Sequence, residues 1–200
     1  MRVGVFGGTF DPPHLGHLIL AAEALHQLRL DRLLWVLTQD PPHKHGRMIR
    51  PWEDRFEMVR LEIDQDPAFE LSRVDIDRPG PHYAVDTMRI LAQQIPGAEL
   101  FYLIGGDSLH DLPTWHAPRQ FLQACAGLGV MRRPGDSINL DALENVLPGI
   151  SARVHFITTP LLEISSTDIR DRIASGRPFR YYLAPAVYQY ILKTNLYHNA

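Results

Sequence analysis

The sequence predicts an α/β fold: one doubly wound, open parallel sheet with helices on both faces and a small helical part at the C-terminus. Three observations carry this. Short apolar, β-rich runs alternate with segments of helical spacing along the whole chain. Glycines, prolines or polar residues follow each strand-like run, so unusual residue types crowd the strand ends. No repeat, low-complexity tract or composition shift divides the 200 residues, so a single domain over 1–200 is expected.

The run 2–6 (RVGVF) is short, apolar and closed by glycines, and reads as a buried first strand. Leu18, Ala21, Ala22, Leu25 and Leu28 recur at helical spacing, so 15–29 reads as an amphipathic helix. A second apolar strand is expected at 32–38 (RLLWVLT). The polar, proline-bearing stretch 39–51 is longer than a usual connection, and such loops tend to carry function. A helix is expected over 52–64 and extended chain over 69–77. Val85, Met88, Leu91, Ala92 and Ile95 give helical spacing over 82–95, stopped by Pro96 and Gly97. Further strands are expected at 99–106, 126–135 and 153–159. Helices are expected at 167–176, with a serine start and a glycine stop, and at 184–195.

Composition narrows the function. With 45% hydrophobic and 22% charged residues the chain is ordinary globular protein. A net charge of -3 gives no global basic field, so nucleic acid is not an expected partner and any anionic ligand needs a local site. No apolar run approaches membrane-spanning length, so a soluble, cytoplasmic protein without membrane partners is expected. The lone Cys125 allows no intrachain disulfide and reads as a buried strand residue.

In an open parallel sheet ligands bind beyond the carboxyl ends of the strands, here just after 6, 38, 104, 131 and 159. Gly7, Gly8 and Thr9 follow the first strand. Without a Cβ on two of them, their N–H groups can approach a phosphate. The helix starting near Leu15 aims its positive end at the same place. The pattern is neither a Walker P-loop nor a G-x-G-x-x-G fingerprint. His14 and His17 lie three apart and share a helix face, where they can donate to phosphate oxygens. The rival reading, a metal site, lacks a third ligand and the i, i+4 spacing of a zinc helix. After the second strand, His43, Lys44, His45 and Arg47 make a cationic tip, either a solvated face or a lid for a polyphosphate. Gly105, Gly106 and Asp107 end another strand; the carboxylate suits ribose hydroxyls or a helix cap. Trp115 belongs to the core or stacks on a flat ring. Ser165 and Asp168 fit a capping box, Ser166 and Thr167 add hydroxyls, and Arg170 lies one turn in.

Two of these segments carry a resemblance. GGTFDPPHLGH (7–17) resembles the (G/S)-x-F-D-P-x-H-x-G-H signature of the nucleotidyltransferase superfamily, and ISSTDIR (164–170) resembles its second signature. PPHK (41–44), HYAVDT (82–87) and GGDSLHDLPTW (105–115) are similar to segments of the bacterial nicotinate-mononucleotide adenylyltransferases. The resemblance spans nearly the whole chain. It implies a Rossmann-like nucleotidyltransferase sheet and adenylyl transfer from ATP to nicotinate mononucleotide, giving nicotinate adenine dinucleotide and pyrophosphate in NAD biosynthesis. It implies ATP contacts from Gly7, Gly8, Thr9, Phe10, Gly105, Asp107, Ile164, Ser165 and Ser166, with His14, His17, Lys44 and Arg170 as catalytic cations and donors. It implies Tyr83, Thr87 and Trp115 on the mononucleotide, Trp115 stacking on the pyridine ring. His82, Ala84 and His116 depart from the family pattern. The related alternatives are transfer to nicotinamide mononucleotide or to phosphopantetheine, and a non-catalytic nucleotide-binding module. The resemblance leaves room for a homo-oligomer.

The implied nucleophile is already a phosphate anion, so no general base is required. The difficulty is bringing two anions together, which calls for positioning and positive charge. Mg2+ carried on the ATP phosphates, rather than a protein-bound metal, supplies part of that charge.

Overall fold

The computed structural model describes residues 1–39, 49–131, 138–160 and 162–198. In chain order its elements are β1 (Arg2–Gly8), α1 (Leu15–Gln27), β2 (Arg32–Leu37), α2 (Trp52–Ile63), β3 (Phe69–Ser72), α3 (Ala84–Gln94), β4 (Glu99–Gly105), α4 (Gly106–Asp111), α5 (Pro118–Ala124), β5 (Gly127–Met131), α6 (Leu140–Val146), β6 (Val154–Ile157), α7 (Ser166–Ala174) and α8 (Pro185–Thr194). Among the described residues the sheet has six strands in the order β3-β2-β1-β4-β5-β6, every neighbouring pair parallel. The order reverses between β1 and β4, and that switch point is where such sheets open a crevice.

The alternation of side chains along each strand explains why helices cover both faces. Val3 and Val5 of β1, Leu34 and Val36 of β2, and Tyr102 and Ile104 of β4 belong to one core. It is closed by Val85, Met88 and Leu91 of α3 and by Phe121 and Leu122 of α5. The intervening residues Phe6, Leu33, Trp35, Leu37, Phe101 and Leu103 belong to a second core on the other face, under Leu20, Ala21 and Ala24 of α1 and Val59 and Ile63 of α2. A third cluster joins Met58 of α2 to Ile169 and Ile173 of α7, Val187 and Ile191 of α8, and Leu196 and Tyr197 beyond it. This is the expected small helical part, docked on α2. No helix among the described residues is long and apolar enough to cross a membrane.

Some boundaries differ from the sequence reading for physical reasons. β1 runs on through both glycines, because Gly7 and Gly8 stay in register with Val36 and Leu37 of β2. The extended stretch 69–77 is strand only to Ser72; the amides of Ile76 and Asp77 then turn back onto the Arg73 carbonyl. α4, α5 and α6 are six or seven residues long, too short to display an amphipathic period. Cys125 is not on a strand: it ends α5, is buried, and burial pushes its thiol up to about 12.

One buried charge stands out in this scaffold. Glu62 of α2 is 5% exposed, and burial pushes its carboxyl up to about 7, with the Ala184 backbone at the head of α8 acting in the opposite sense.

Candidate active site

A cleft of about 530 Å³ opens at the carboxyl ends of β1 and β4, and the ends of β5 and β6 reach it too. Gly7, Gly8, Thr9 and Phe10 form one wall, Gly105 and Asp107 a second, and Ile164, Ser165, Ser166 and Arg170 a third, with His14 and His17 between them. The structure therefore gathers every described residue assigned to ATP or to catalysis on a single cleft. Lys44 and the cationic tip around it lie outside the described residues.

α1 enters from an extended His14 at its N-cap and has no acidic residue in its first turn, so its positive end faces the cleft uncompensated by a carboxylate of its own. The His14 N–H donates to Nδ1 of His17 at 3.1 Å, and the His17 N–H returns to the His14 carbonyl at 2.8 Å. A backbone amide can only donate, so Nδ1 of His17 is the acceptor and the ring proton sits on Nε2. The two imidazoles stack with centroids 3.7 Å apart, and the Phe10 ring meets His17 edge-on at 5.1 Å. His17 is thus held in one orientation, its Nδ1 engaged at the entry of α1.

The glycines work differently from the sequence reading. A Cβ on Gly7 would collide with the Tyr102 hydroxyl, and one on Gly8 would lie 2.7 Å from the Phe10 ring. The missing side chains make room for neighbours in the protein rather than leaving open space for a phosphate. Phe10 itself takes a φ of +49°, folds back under the loop and is 3% exposed, packed on Phe6 and Trp35 at 5.4 and 5.2 Å. It forms the floor of the site. Gly7→Ala should therefore cost about 2 kcal/mol by overpacking. Gly7→Ala combined with Tyr102→Phe should recover a clear part of that loss in urea midpoints. Equal stability of single and double variants would contradict this origin.

Gly105, not Asp107, is the N-cap of α4; Asp107 is its second residue, and its carboxylate folds back over Gly105. On the third wall Ser165 caps α7 by accepting from the Asp168 N–H at 3.1 Å, as the capping box predicts. Ser166 donates to the Pro12 carbonyl at 2.8 Å, a contact across 154 positions of sequence. Arg170 donates to the Asp11 carbonyl at 2.7 Å and to the Thr167 hydroxyl at 3.2 Å. The two signature segments are bonded directly to each other, and Arg170 spends part of its fork on that bond.

Tyr83, Thr87 and Trp115 form a neighbouring cluster. Tyr102 bridges to it: its hydroxyl abuts Gly7, and its ring meets Trp115 edge-on at 6.3 Å. Tyr83 stacks on His116 at 4.1 Å and caps α3. Thr87 is buried; its hydroxyl donates to Asp75 at 2.7 Å and lies 3.2 Å from the Tyr83 carbonyl. Arg78 donates to Asp75 and to that same carbonyl, fixing where α3 begins.

Sequence reasoning missed the supports behind the first wall. Asp11 is 5% exposed; its carboxylate accepts from the Tyr197 hydroxyl at 2.7 Å and from the Arg50 N–H at 3.4 Å. Burial, reinforced by the Asp11 charge, pushes the Tyr197 phenol up, so it remains a donor. The buried Arg55 of α2 bonds to loop carbonyls on three segments. The aspartate stood in plain view inside DPP, but nothing local marks Tyr197 or Arg55 as its companions.

The model of the cytidylyltransferase-like family matches residues 5–172. A protein of Thermomicrobium roseum described as "Probable nicotinate-nucleotide adenylyltransferase" is 44% identical over 196 residues, covering 98% of this chain and 91% of its own. One of the same description from Thermus thermophilus is 43% identical over 197 residues, covering 98% of this chain and 100% of its own. Among solved structures, "Plasmodium falciparum nicotinic acid mononucleotide adenylyltransferase complexed with NaAD" superposes with a TM-score of 0.80 over 98% of this chain and 97% of that one, at 18% identity. That last likeness bears on the fold alone. The sequence relationships run nearly end to end at more than 40% identity. The chain belongs to the cytidylyltransferase-like family and, within it, to the nicotinate-nucleotide adenylyltransferases.

Proposed function

We propose that the chain transfers the adenylyl group of MgATP to nicotinate mononucleotide. A phosphate oxygen of the mononucleotide forms a bond to the α-phosphorus, the bond from that phosphorus to the β-bridging oxygen breaks, and pyrophosphate leaves. The products are nicotinate adenine dinucleotide and pyrophosphate, a step of NAD biosynthesis. The observation that carries this reading is the direct bonding of the two signature segments on one cleft, through Ser166 to Pro12 and Arg170 to Asp11.

The cleft is rich in donors: the amides of the β1 loop and of the α1 and α7 N-termini, the imidazoles of His14 and His17, and the Arg170 guanidinium. That set suits a polyphosphate, and it stabilises the charge that builds on the transferring and leaving phosphates. Mg2+ enters with ATP as part of the substrate and adds charge neutralisation. Gly105 and Asp107 receive the adenosine side. Ile164 and Ser165 close over it. Lys44 adds a cation from the 39–51 stretch. The mononucleotide lies on the Tyr83–Trp115 side, with Trp115 against the pyridine ring. Thr87 supports that side from beneath by holding the Tyr83 carbonyl end of α3.

Pyrophosphate release is the test. With ATP and Mg2+, nicotinate mononucleotide should support turnover well above nicotinamide mononucleotide. Equal use of the two would remove the nicotinate assignment, and no release with either would remove adenylyl transfer.

A further inference from the structure

Arg55 of α2 is 1% exposed, and four donations from its guanidinium all go to backbone carbonyls. Nε donates to Arg50 at 2.9 Å, Nη1 to Thr9 at 2.8 Å and to Thr38 at 3.0 Å, and Nη2 to Gln39 at 2.8 Å. Those carbonyls come from three places: the loop after β1, the end of β2 and its first residues beyond, and the lead into α2. Burial lowers the pKa of the group, and the neighbouring Asp11 and Glu53 carboxylates act in the opposite sense.

We propose that Arg55 is a positioning residue for adenylyl transfer, its fork setting the distance between the carboxyl ends of β1 and β2 and so the shape of the Thr9–Phe10 turn. This rests on the reading of the cleft as the adenylyl-transfer site. The turn needs such a hold. Phe10 occupies the left-handed region, which a bulky side chain adopts only where its surroundings impose it. The peptide ahead of Phe10 is fixed by Arg55 through the Thr9 carbonyl, and the Asp11–Pro12 peptide, the second after it, by Arg170 through the Asp11 carbonyl. Between these two grips lies Phe10, a residue of the cleft wall. A planar fork of five N–H groups can hold four carbonyls diverging in this way; a lysine ammonium, donating from one point, cannot. Arg55 does not itself line the cleft; it bonds to the carbonyl of Thr9, which does, so it acts through the turn.

The test pairs Arg55→Lys, which keeps the charge and loses the fork, with Arg55→Met, which loses both. Kinetics with MgATP and nicotinate mononucleotide and calorimetric binding of MgATP alone are measured where thermal scans show each variant folded. The expected result for Arg55→Lys is a fall in kcat/KM for ATP of about 10²-fold, the loss typical of a displaced reacting group, with the mononucleotide KM within about twofold of wild type. MgATP binding should weaken about tenfold. Arg55→Met should lose no less. The inference is overturned if Arg55→Lys retains wild-type ATP parameters while only its melting temperature falls. It is also overturned if neither variant folds, since the role is then purely structural. Should the wild type release no pyrophosphate with any mononucleotide, adenylyl transfer fails by itself, and MgATP binding still decides the role of Arg55.

Discussion

His17→Ala should lower kcat by about 10²–10³-fold, the loss measured when one well-placed donor to a developing anion is removed. The expectation comes from the ring's surroundings. Its Nδ1 is occupied by the His14 amide, so Nε2–H is the one donor it can offer. The stack on His14 and the edge of Phe10 leave that donor little freedom to turn away. A donor fixed beforehand costs no reorganisation when charge shifts onto the leaving phosphates. The mononucleotide KM should change little, because the Tyr83–Trp115 cluster proposed to receive it lies beyond Tyr102. Removing the imidazole also strips the His14 amide of its acceptor, a loss of about 1 kcal/mol in line with other helix caps. Steady-state kinetics beside a urea titration separate the two effects. Wild-type turnover in a folded His17→Ala protein would take His17 out of the reaction.

Glu62→Gln should change the pH dependence of stability more than its value in acid. Burial raises the Glu62 carboxyl from its ordinary 4.5 to about 7 in the folded protein. Between those values the folded state binds more protons than the unfolded chain, so stability falls as pH rises through that window. Below it the carboxyl is neutral in both states and no penalty exists. Above it the full penalty applies, about 3 kcal/mol at 1.36 kcal/mol per pH unit. Glutamine keeps the shape and cannot ionise. The variant should therefore gain about 3 kcal/mol over wild type between pH 4.5 and 8. Urea midpoints across that range check it; parallel pH curves for the two proteins would refute it.

Much of the site was legible because its chemistry is local. The glycines, His14 and His17 sit within eleven residues of one strand end, and Ser165 and Arg170 within thirteen of another. Strand alternation placed both ends on the same rim of the sheet. What could not be read was which atoms would fill the space a residue leaves. Gly7 and Gly8 do line the cleft, yet their missing side chains accommodate Tyr102 and Phe10, partners set by β4 and by a left-handed turn. Nothing marked Arg55 within the expected helix 52–64, since its four acceptors are carbonyls and carbonyls leave no mark in a sequence. The three short helices were missed for a related reason: six or seven residues complete at most two turns and show no period.

The bond from Tyr197 to Asp11 spans 186 positions of sequence and bears on the order in which the molecule is completed during synthesis. The six strands are all made by residue 157, so the sheet can assemble while translation continues. The loop after β1 then still lacks the donor that holds its aspartate. Only once residue 197 has emerged can the first functional segment of the polypeptide take its final set. A nascent chain with a finished sheet therefore still lacks the tyrosine that holds this aspartate.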